Sequence, residues 1–233
     1  MKYISNLNQE VNYEKINEMS QLFNLDSNLV HLLYSRGVDT TEKLKKYLYP
    51  SITDINDPFL FEDMQKAVEL IENHIAKNSK ILVFGDYDVD GISASAILIR
   101  YFNSVGVNVD SFMPNRYEDG YGLTISTIEK IFANNKPDLI ITVDCGITGI
   151  EEVEYIKSLG VDIIVTDHHE RGENLPNCLI INPKVSVTYP FKSLCGSGVA
   201  LKLVQALAGL TVASEYLPMC AIATIADIVE LLD

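Results

Sequence analysis

The chain of 233 residues has no tryptophan and only four cysteines, Cys145, Cys178, Cys195 and Cys220. None of these cysteines forms a CxxC pair, so neither a zinc ribbon nor a disulfide framework is expected. The polar N-terminal stretch lacks the apolar core of a signal peptide. These absences predict a cytoplasmic protein whose thiols are free.

Long apolar runs and positive charges are also scarce. No run reaches the roughly 18 to 20 apolar residues that cross a bilayer, so we expect no membrane association. The chain has 18 Lys and Arg against 32 Asp and Glu, which gives a net charge of −14. Taken alone, this balance argues against nucleic-acid binding, because phosphate contacts need local Lys and Arg. A cluster of acids that holds divalent cations nevertheless reverses its own local charge.

The apolar pattern changes at Lys80. Before it, residues 1–56 carry short helical patterns and predict a small helical lead-in, and residues 57–233 form the main domain. After Lys80, short apolar strands alternate with amphipathic helices, which predicts an α/β fold with a parallel, doubly wound sheet and helices on both faces. Two apolar helices are predicted between 195 and 233 and should pack onto that sheet.

Acids and histidines follow three of the predicted strands. The first strand runs into GDYDVDG, the strand at 138–143 into VDCG, and the strand at 161–166 into TDHHE. Ligands of an open parallel sheet sit beyond the carboxyl ends of its strands, so these side chains should converge at one edge. The converging residues are Asp86, Asp88, Asp90, Asp144, Asp167, His168 and His169.

This composition predicts a metal site. Carboxylates with one or two imidazoles suit Mn²⁺ or Mg²⁺, with Zn²⁺ or Co²⁺ as alternatives. The ligands outnumber what one ion needs, which favours two ions that flank a phosphoryl displacement. A calcium-binding EF-hand also begins DxDxDG, but its twelfth position should be Glu and here it is Ile97. No GxGxxG follows the first strand, so a dinucleotide site is not indicated.

Two further features are compatible with phosphate binding. Arg116, in PNRYEDGYGL, could bind phosphate through its guanidinium, although a solvated loop arginine fits the spacing equally well. Ser197, in CGSGVALK, lies at a predicted helix start whose N–H groups could hold an anion. A tight turn that permits close helix packing explains the second motif equally well.

The ordered motifs resemble the DHH phosphoesterase superfamily and, within it, the RecJ family of exonucleases specific for single-stranded DNA. The resemblance covers roughly residues 29 to 231. It rests on LLYSRG, DPFLFEDMQKAV, ILVFGDYDVDGISASAIL, PNRYEDGYGL, TVDCGIT, VTDHHE, CGSGVALKL and TIADIVEL.

The resemblance implies metal-dependent hydrolysis of phosphodiesters from a 5′ end, in DNA repair and recombination. Asp86 and Asp88 would then bind one Mn²⁺ or Mg²⁺ ion and Asp144 would bridge two. The second ion would be bound by Asp90, His168 and Asp227, the last expected inside a buried helix.

The resemblance also assigns roles around the reacting phosphate. His169 would contact that phosphate, Asp167 would orient the histidines, and Arg116 would bind substrate phosphate. The predicted helix start adds Ser197 as a further candidate for binding substrate phosphate. Together with Asp144, His169 and Asp167 would form the catalytic group.

The RecJ resemblance further implies continuation past Asp233 into a DHH-associated domain and an oligonucleotide-binding fold. Single-stranded DNA is the expected partner, with a single-strand-binding protein and a helicase as further ones. Two alternatives stay open: a phosphodiesterase of short oligonucleotides or cyclic dinucleotides, and a catalytically incomplete fragment that only binds metal.

Overall fold

The computed structural model describes residues 11–117, 120 and 122–231. Part of the predicted lead-in, residues 1–10, and three residues of the YEDGYGL motif lie outside the described residues. The chain divides into two compact units between Asn56 and Asp57.

The first unit is helical. Its α-helices α1 to α3 and one 3-10 helix are Tyr13–Phe23, Ser27–Tyr34, Thr41–Leu48 and Ile52–Asp54. Asn12, Asp26 and Thr40 cap the three α-helices by accepting hydrogen bonds from backbone N–H groups of the first turn. Met19 and Leu44 are fully buried in a small core between the helices. The predicted helical segment is therefore confirmed for residues 11–56.

The second unit contains a five-stranded, wholly parallel sheet. Strands β1 to β5 are Ile81–Gly85, Val109–Phe112, Leu139–Val143, Asp162–Thr166 and Leu179–Ile181. Their order across the sheet is β2-β1-β3-β4-β5. All residues of β1 and β3 are buried, which explains their continuous apolar sequence.

Helices cover both faces of the sheet, as predicted. After the 3-10 helix Pro58–Leu60, helices α4 to α9 are Met64–Ala76, Val89–Ser104, Ile125–Asn135, Ile150–Ser158, Gly196–Ser214 and Leu217–Ala226. Ile81 and Val83 of β1 pack into one apolar core with α4, α5 and α8. Leu82 and Phe84 point to the opposite face and pack with α6 and α7, because successive strand residues face opposite sides.

The strand order reverses between β1 and β3. The chain passes from β1 through α5 to β2 on one side, and β3 then pairs with the other side of β1. In doubly wound sheets the binding crevice opens at this reversal, beyond the carboxyl ends of the strands. The topology therefore places the GDYDVDG loop beside the residue that follows β3.

The two last helices differ in burial. The first half of α8 is buried, and a non-helical residue, Gly209 (φ 82°, ψ 168°), interrupts its second half. Only Ala223 of α9 is buried, whereas the Ile222 and Ile225 side chains are 60% and 73% exposed. The prediction that both helices pack onto the sheet is therefore wrong for α9, which packs chiefly against α5 and α8.

By length and mean composition α8 is apolar enough to cross a membrane. More than half of this helix is buried against the rest of the unit. A core helix of this kind passes the same length and composition test.

Candidate metal centre

The GDYDVDG loop is a tight turn between β1 and α5. Asp88 caps α5, because its Oδ1 accepts a hydrogen bond of 2.9 Å from the Gly91 N–H. The Asp86 Oδ1 accepts a hydrogen bond of 2.7 Å from the N–H of Tyr87. A Cβ at Gly91 would lie 2.5–2.7 Å from backbone atoms of Asp86, so only glycine lets the turn close. The loop thus directs Asp86 and Asp88 to the edge of the sheet.

Asp90, in the first turn of α5, is held by the start of α8. Its Oδ2 accepts a hydrogen bond of 2.6 Å from the Gly196 N–H, and its Oδ1 accepts one of 2.7 Å from the Ser197 N–H. The Ser197 hydroxyl donates to the Asp90 carbonyl oxygen at 2.9 Å. The predicted anion-binding helix start is thus present, but the anion it binds is Asp90. Ser197 is fully buried, and its role as a substrate-phosphate ligand is not supported by these contacts.

Asp144 follows β3 in a left-handed backbone conformation, with φ of 61°. Such a conformation is uncommon outside glycine and clusters at functional sites. It brings the Asp144 Oδ1 to 3.0 Å from His168 Nε2. Although these two buried atoms lie so close, neither has a hydrogen-bond partner among the described residues. Two orphaned metal-ligand atoms facing one another fit a cation between them.

The acidic and histidine side chains form two neighbouring ligand sets. Within each set one atom of every residue lies within 4.8 Å of the others, and the sets are Asp86, Asp88 and Asp144, and Asp90, His168 and Asp227. A third grouping joins Asp144, His168 and His169, so Asp144 stands between the two sets. Carboxylate oxygens with one imidazole are the ligands that suit Mn²⁺ and Mg²⁺. The residues present therefore fit two divalent cations.

Without bound cations, the buried carboxylates of this cluster repel one another. Burial, followed by the charges of Asp90 and Asp88, raises the pKa of Asp144 to about 10. Burial also raises the pKa of Asp86, with the nearby charge of Asp88 adding to it. The pKa of Asp227 is likewise raised, chiefly by burial. Bound cations would reverse this repulsion.

Asp167 and His169 form a separate hydrogen-bonded pair beside the ligands. The buried Asp167 Oδ1 lies 2.8 Å from His169 Nδ1 and also accepts the N–H groups of His168 and His169. Its Oδ2 accepts the Ile147 N–H at 2.9 Å. Burial opposes ionisation, yet the hydrogen bond and charge of His169 leave the pKa of Asp167 lowered. The same hydrogen bond raises the pKa of His169, whose side chain is 43% exposed.

Asn182 is a site residue that the sequence interpretation missed. It directly follows β5 and is buried, and its side-chain amide donates a hydrogen bond of 3.1 Å to the His169 carbonyl oxygen. Its Oδ1 accepts the N–H groups of Lys184 and Val185. Its position directly after a strand could have indicated it, because the rule that ligands lie beyond the carboxyl ends of strands had already selected the other site residues.

Arg116 reaches the acidic loop from the segment after β2. Its guanidinium carbon lies 5.6 Å from the centre of the Tyr87 ring, within the range of a cation–π contact. Arg116 therefore lies next to the GDYDVDG loop, as predicted from the sequence. Its contact with the Tyr87 ring was not predicted.

A cleft of about 330 Å³ opens beside His169 and Asp167. Leu123, the turn 145–149 and Glu152 line its other walls. Its volume lies at the small end of the range typical of ligand pockets.

Asp227 does not lie inside a buried helix, contrary to the prediction. It follows the last residue of α9, and its side chain is 27% exposed, with Oδ2 at 3.6 Å from His168 Nε2. Ile228 then adopts a left-handed conformation, with φ of 57°, which is rare for a β-branched residue. The helix end, rather than its interior, presents this carboxylate.

The fold and this acidic edge are those of a DHH-family domain. Residues 80–228 match the family model "DHH family, N-terminal domain", and the chain belongs to that family. It is similar to the single-stranded-DNA-specific exonuclease RecJ of Bacillus subtilis (strain 168). The two are 38% identical over 230 residues, which cover 97% of this chain and 29% of that protein.

Solved structures of RecJ from Thermus thermophilus have a similar fold. The structure in complex with Mn²⁺ has a TM-score of 0.78 and 29% identity, over 95% of this chain and 32% of that one. The structure in complex with Mg²⁺ has a TM-score of 0.66 and 26% identity, over 95% and 28%. The predicted resemblance and the predicted fold class are confirmed, and the chain spans about a third or less of the length of these relatives.

Proposed function

We propose that this chain is the metal-binding catalytic part of a 5′→3′ exonuclease that hydrolyses single-stranded DNA. The observation that carries the proposal is the pair of ligand sets around Asp144, next to the hydrogen-bonded pair of Asp167 and His169. The similarity to RecJ proteins supports the choice of single-stranded DNA as the substrate. Roles in DNA repair and recombination follow from the same similarity.

Mn²⁺ or Mg²⁺ is the proposed cofactor, with two ions per chain. Asp86, Asp88 and Asp144 would bind the first ion. Asp90, His168 and Asp227 would bind the second, with Asp144 shared between them. Two such ions lower the pKa of water and neutralise charge on a phosphoryl group during in-line displacement.

The remaining residues bind and orient the substrate phosphate. Asp167 holds the His169 ring by its Nδ1 and raises its pKa, so His169 can carry a positive charge close to the reacting phosphate. That charge stabilises the negative charge that develops in the transition state. Arg116, held over Tyr87, is the proposed second phosphate contact. The cleft beside His169 provides room for a nucleotide.

We propose residues 57–233 as the catalytic domain and residues 1–56, helical where the structure describes them (11–56), as its lead-in. A DHH-associated domain and an oligonucleotide-binding fold in the same protein would supply the positive surface that a net charge of −14 lacks. We propose a cytoplasmic location, which the four free cysteines support. A single-strand-binding protein and a helicase are the proposed protein partners.

The test is release of mononucleotides from 5′-phosphorylated single-stranded DNA in Mn²⁺. It compares this chain, the longest chain that its gene encodes, and Asp144→Ala variants of both. We expect release by at least the longer wild-type chain and none by either variant. Duplex DNA of the same sequence is the matched control substrate.

Three outcomes would contradict parts of the proposal. No release from either wild-type chain would refute the exonuclease activity and leave a fragment that only binds metal. Cleavage restricted to dinucleotides or cyclic dinucleotides would favour the alternative phosphodiesterase. Full activity of Asp144→Ala would refute the metal assignment.

A further inference from the structure

The contact between Asp90 and the start of α8 involves both carboxylate oxygens. Gly196 N–H reaches Oδ2 at 2.6 Å and Ser197 N–H reaches Oδ1 at 2.7 Å. The Ser197 hydroxyl fixes the Asp90 main chain as well, at 2.9 Å from its carbonyl oxygen. Asp90 is 2% exposed and Ser197 is fully buried. Both oxygens of this nearly fully buried carboxylate are therefore held by backbone N–H groups.

Glycine at position 196 permits this close approach. A Cβ there would lie 2.6 Å from Cβ and Oδ1 of Asp144, so a larger residue would push the helix start away from both aspartates. The first N–H groups of a helix have no partner within the helix, and the helix start favours negative charge. Asp90 accepts hydrogen bonds from two of these donors.

The two hydrogen bonds restrict how Asp90 can bind a cation. Each oxygen keeps a lone pair for metal, but turning both oxygens towards one ion would break the bonds to Gly196 and Ser197. Ca²⁺ accepts six to eight oxygen ligands and commonly uses bidentate carboxylates. Mg²⁺ demands near-ideal octahedral geometry, and Mn²⁺ suits an octahedral set of oxygens, which monodentate carboxylates provide.

We propose that the start of α8, through Gly196 and Ser197, positions Asp90 as a monodentate ligand and so favours Mn²⁺ and Mg²⁺ over Ca²⁺. This inference rests on the proposed metal site and assigns to Ser197 a positioning role. Cation choice at this site is then set by a helix start that lies more than a hundred residues further along the chain.

Two variants distinguish the contribution of the Ser197 hydroxyl from that of the Ser197 N–H. Ser197→Ala removes only the hydroxyl, whereas Ser197→Pro also removes the N–H, at the second helical position where proline breaks no intrahelical bond. Ser214→Ala, which removes an exposed hydroxyl bonded to the Thr211 carbonyl at 2.7 Å, is the matched control. Mn²⁺ and Ca²⁺ affinities are measured by calorimetry on metal-stripped protein without DNA.

We expect Ser197→Pro to lower the ratio of Mn²⁺ affinity to Ca²⁺ affinity about tenfold. This is roughly the effect of losing one hydrogen bond to a charged group. Ser197→Ala should lower the ratio less, and Ser214→Ala should leave it unchanged. Equal losses of both affinities in Ser197→Pro would indicate general loosening and would overturn the inference. Failure of the wild-type protein to bind Mn²⁺ would overturn the proposed metal site itself.

A measurement on the wild-type protein covers the case in which the proline variant does not fold. The amide signals of Gly196 and Ser197 are followed by NMR hydrogen exchange with and without Mg²⁺. We expect both amides to stay protected when Mg²⁺ binds, because Asp90 keeps its two bonds. Loss of protection in both amides on Mg²⁺ binding would mean that the carboxylate turns, and would overturn the inference.

Discussion

Asp144→Asn should stabilise the metal-free protein while removing its response to Mn²⁺. Carboxylates whose oxygens lie within 4.8 Å of one another repel by roughly 3 kcal/mol per pair at an effective dielectric constant of about 20. Burial of Asp144, together with this repulsion, favours its protonated form in the folded protein and raises its pKa from 3.8 to about 10. Asparagine is neutral at every pH and needs no proton.

The pH dependence of this effect has a defined sign. Between about pH 4 and pH 10 the folded wild-type protein holds a proton on Asp144 that the unfolded chain has released, so the free energy of unfolding falls as pH rises. The loss is at most about 1.4 kcal/mol per pH unit. Asp144→Asn should therefore match the wild type near pH 4 and exceed it by up to about 5 kcal/mol at about pH 8. For a chain of this size that difference is roughly 10 to 20 °C in Tm.

Thermal unfolding in EDTA and in Mn²⁺ measures both parts of the prediction. A Mn²⁺ concentration about a hundredfold above Kd should stabilise the wild type by about 3 kcal/mol, and most of this gain should disappear in Asp144→Asn. Glu18→Gln, at an exposed position of α1, is the control for loss of one acidic charge. The prediction is wrong if Asp144→Asn is no more stable than the wild type in EDTA at pH 8, or keeps the full Mn²⁺ response.

Three further variants test other parts of the structure. Gly91→Ala should weaken Mn²⁺ binding, measured by calorimetry, and destabilise the protein by about 1 to 3 kcal/mol, measured by denaturation. The reason is that the new Cβ would overlap the Asp86 backbone. Gly172→Ala, whose Cβ would meet no such close atom, is the control and should show neither effect. Asp167→Asn should lower the pKa of His169, because it weakens the hydrogen bond that raises this pKa. The alkaline limb of the pH profile for kcat/KM should therefore move to lower pH. An unmoved limb would contradict the proposed role of His169 as a cation. Glu62→Gln should unfold at lower temperature than the wild type at pH 7. Hydrogen bonds from the Ser186 side chain and from the Val187 and Thr188 N–H groups outweigh the effect of burial and lower the pKa of Glu62 to about 2. The difference in unfolding temperature should vanish as pH falls from 4.5 to about 2, and a pH-independent difference would refute the linkage.

The sheet and the site at its edge could be predicted from the sequence because each depends on short, contiguous stretches of residues. Apolar runs at 81–84 and 138–143 are long enough for buried strands, and parallel strands deliver their following residues to one edge. Asp86, Asp144 and His168 could therefore be placed together from the sequence. The predicted strands at 138–143 and 161–166 each begin one residue earlier than β3 and β4 and end at the same residue.

Contacts between distant segments could not be predicted in the same way. Nothing near Ser197 in the sequence indicates that its N–H binds Asp90, because the contact depends on how α8 packs against α5. The burial of α9 was overestimated for a related reason: its apolar composition was interpreted as contact with the sheet, although α8 covers that face. Asn182 was missed because β5 is short and its end carries no acid.

The central claim is that two divalent cations bind at this edge of the sheet. Anomalous diffraction from crystals grown with Mn²⁺ tests it most directly. We expect two anomalous peaks about 3.5–4 Å apart, one bounded by Asp86, Asp88 and Asp144 and the other by Asp90, His168 and Asp227. A single peak, or peaks away from Asp144, would contradict the claim.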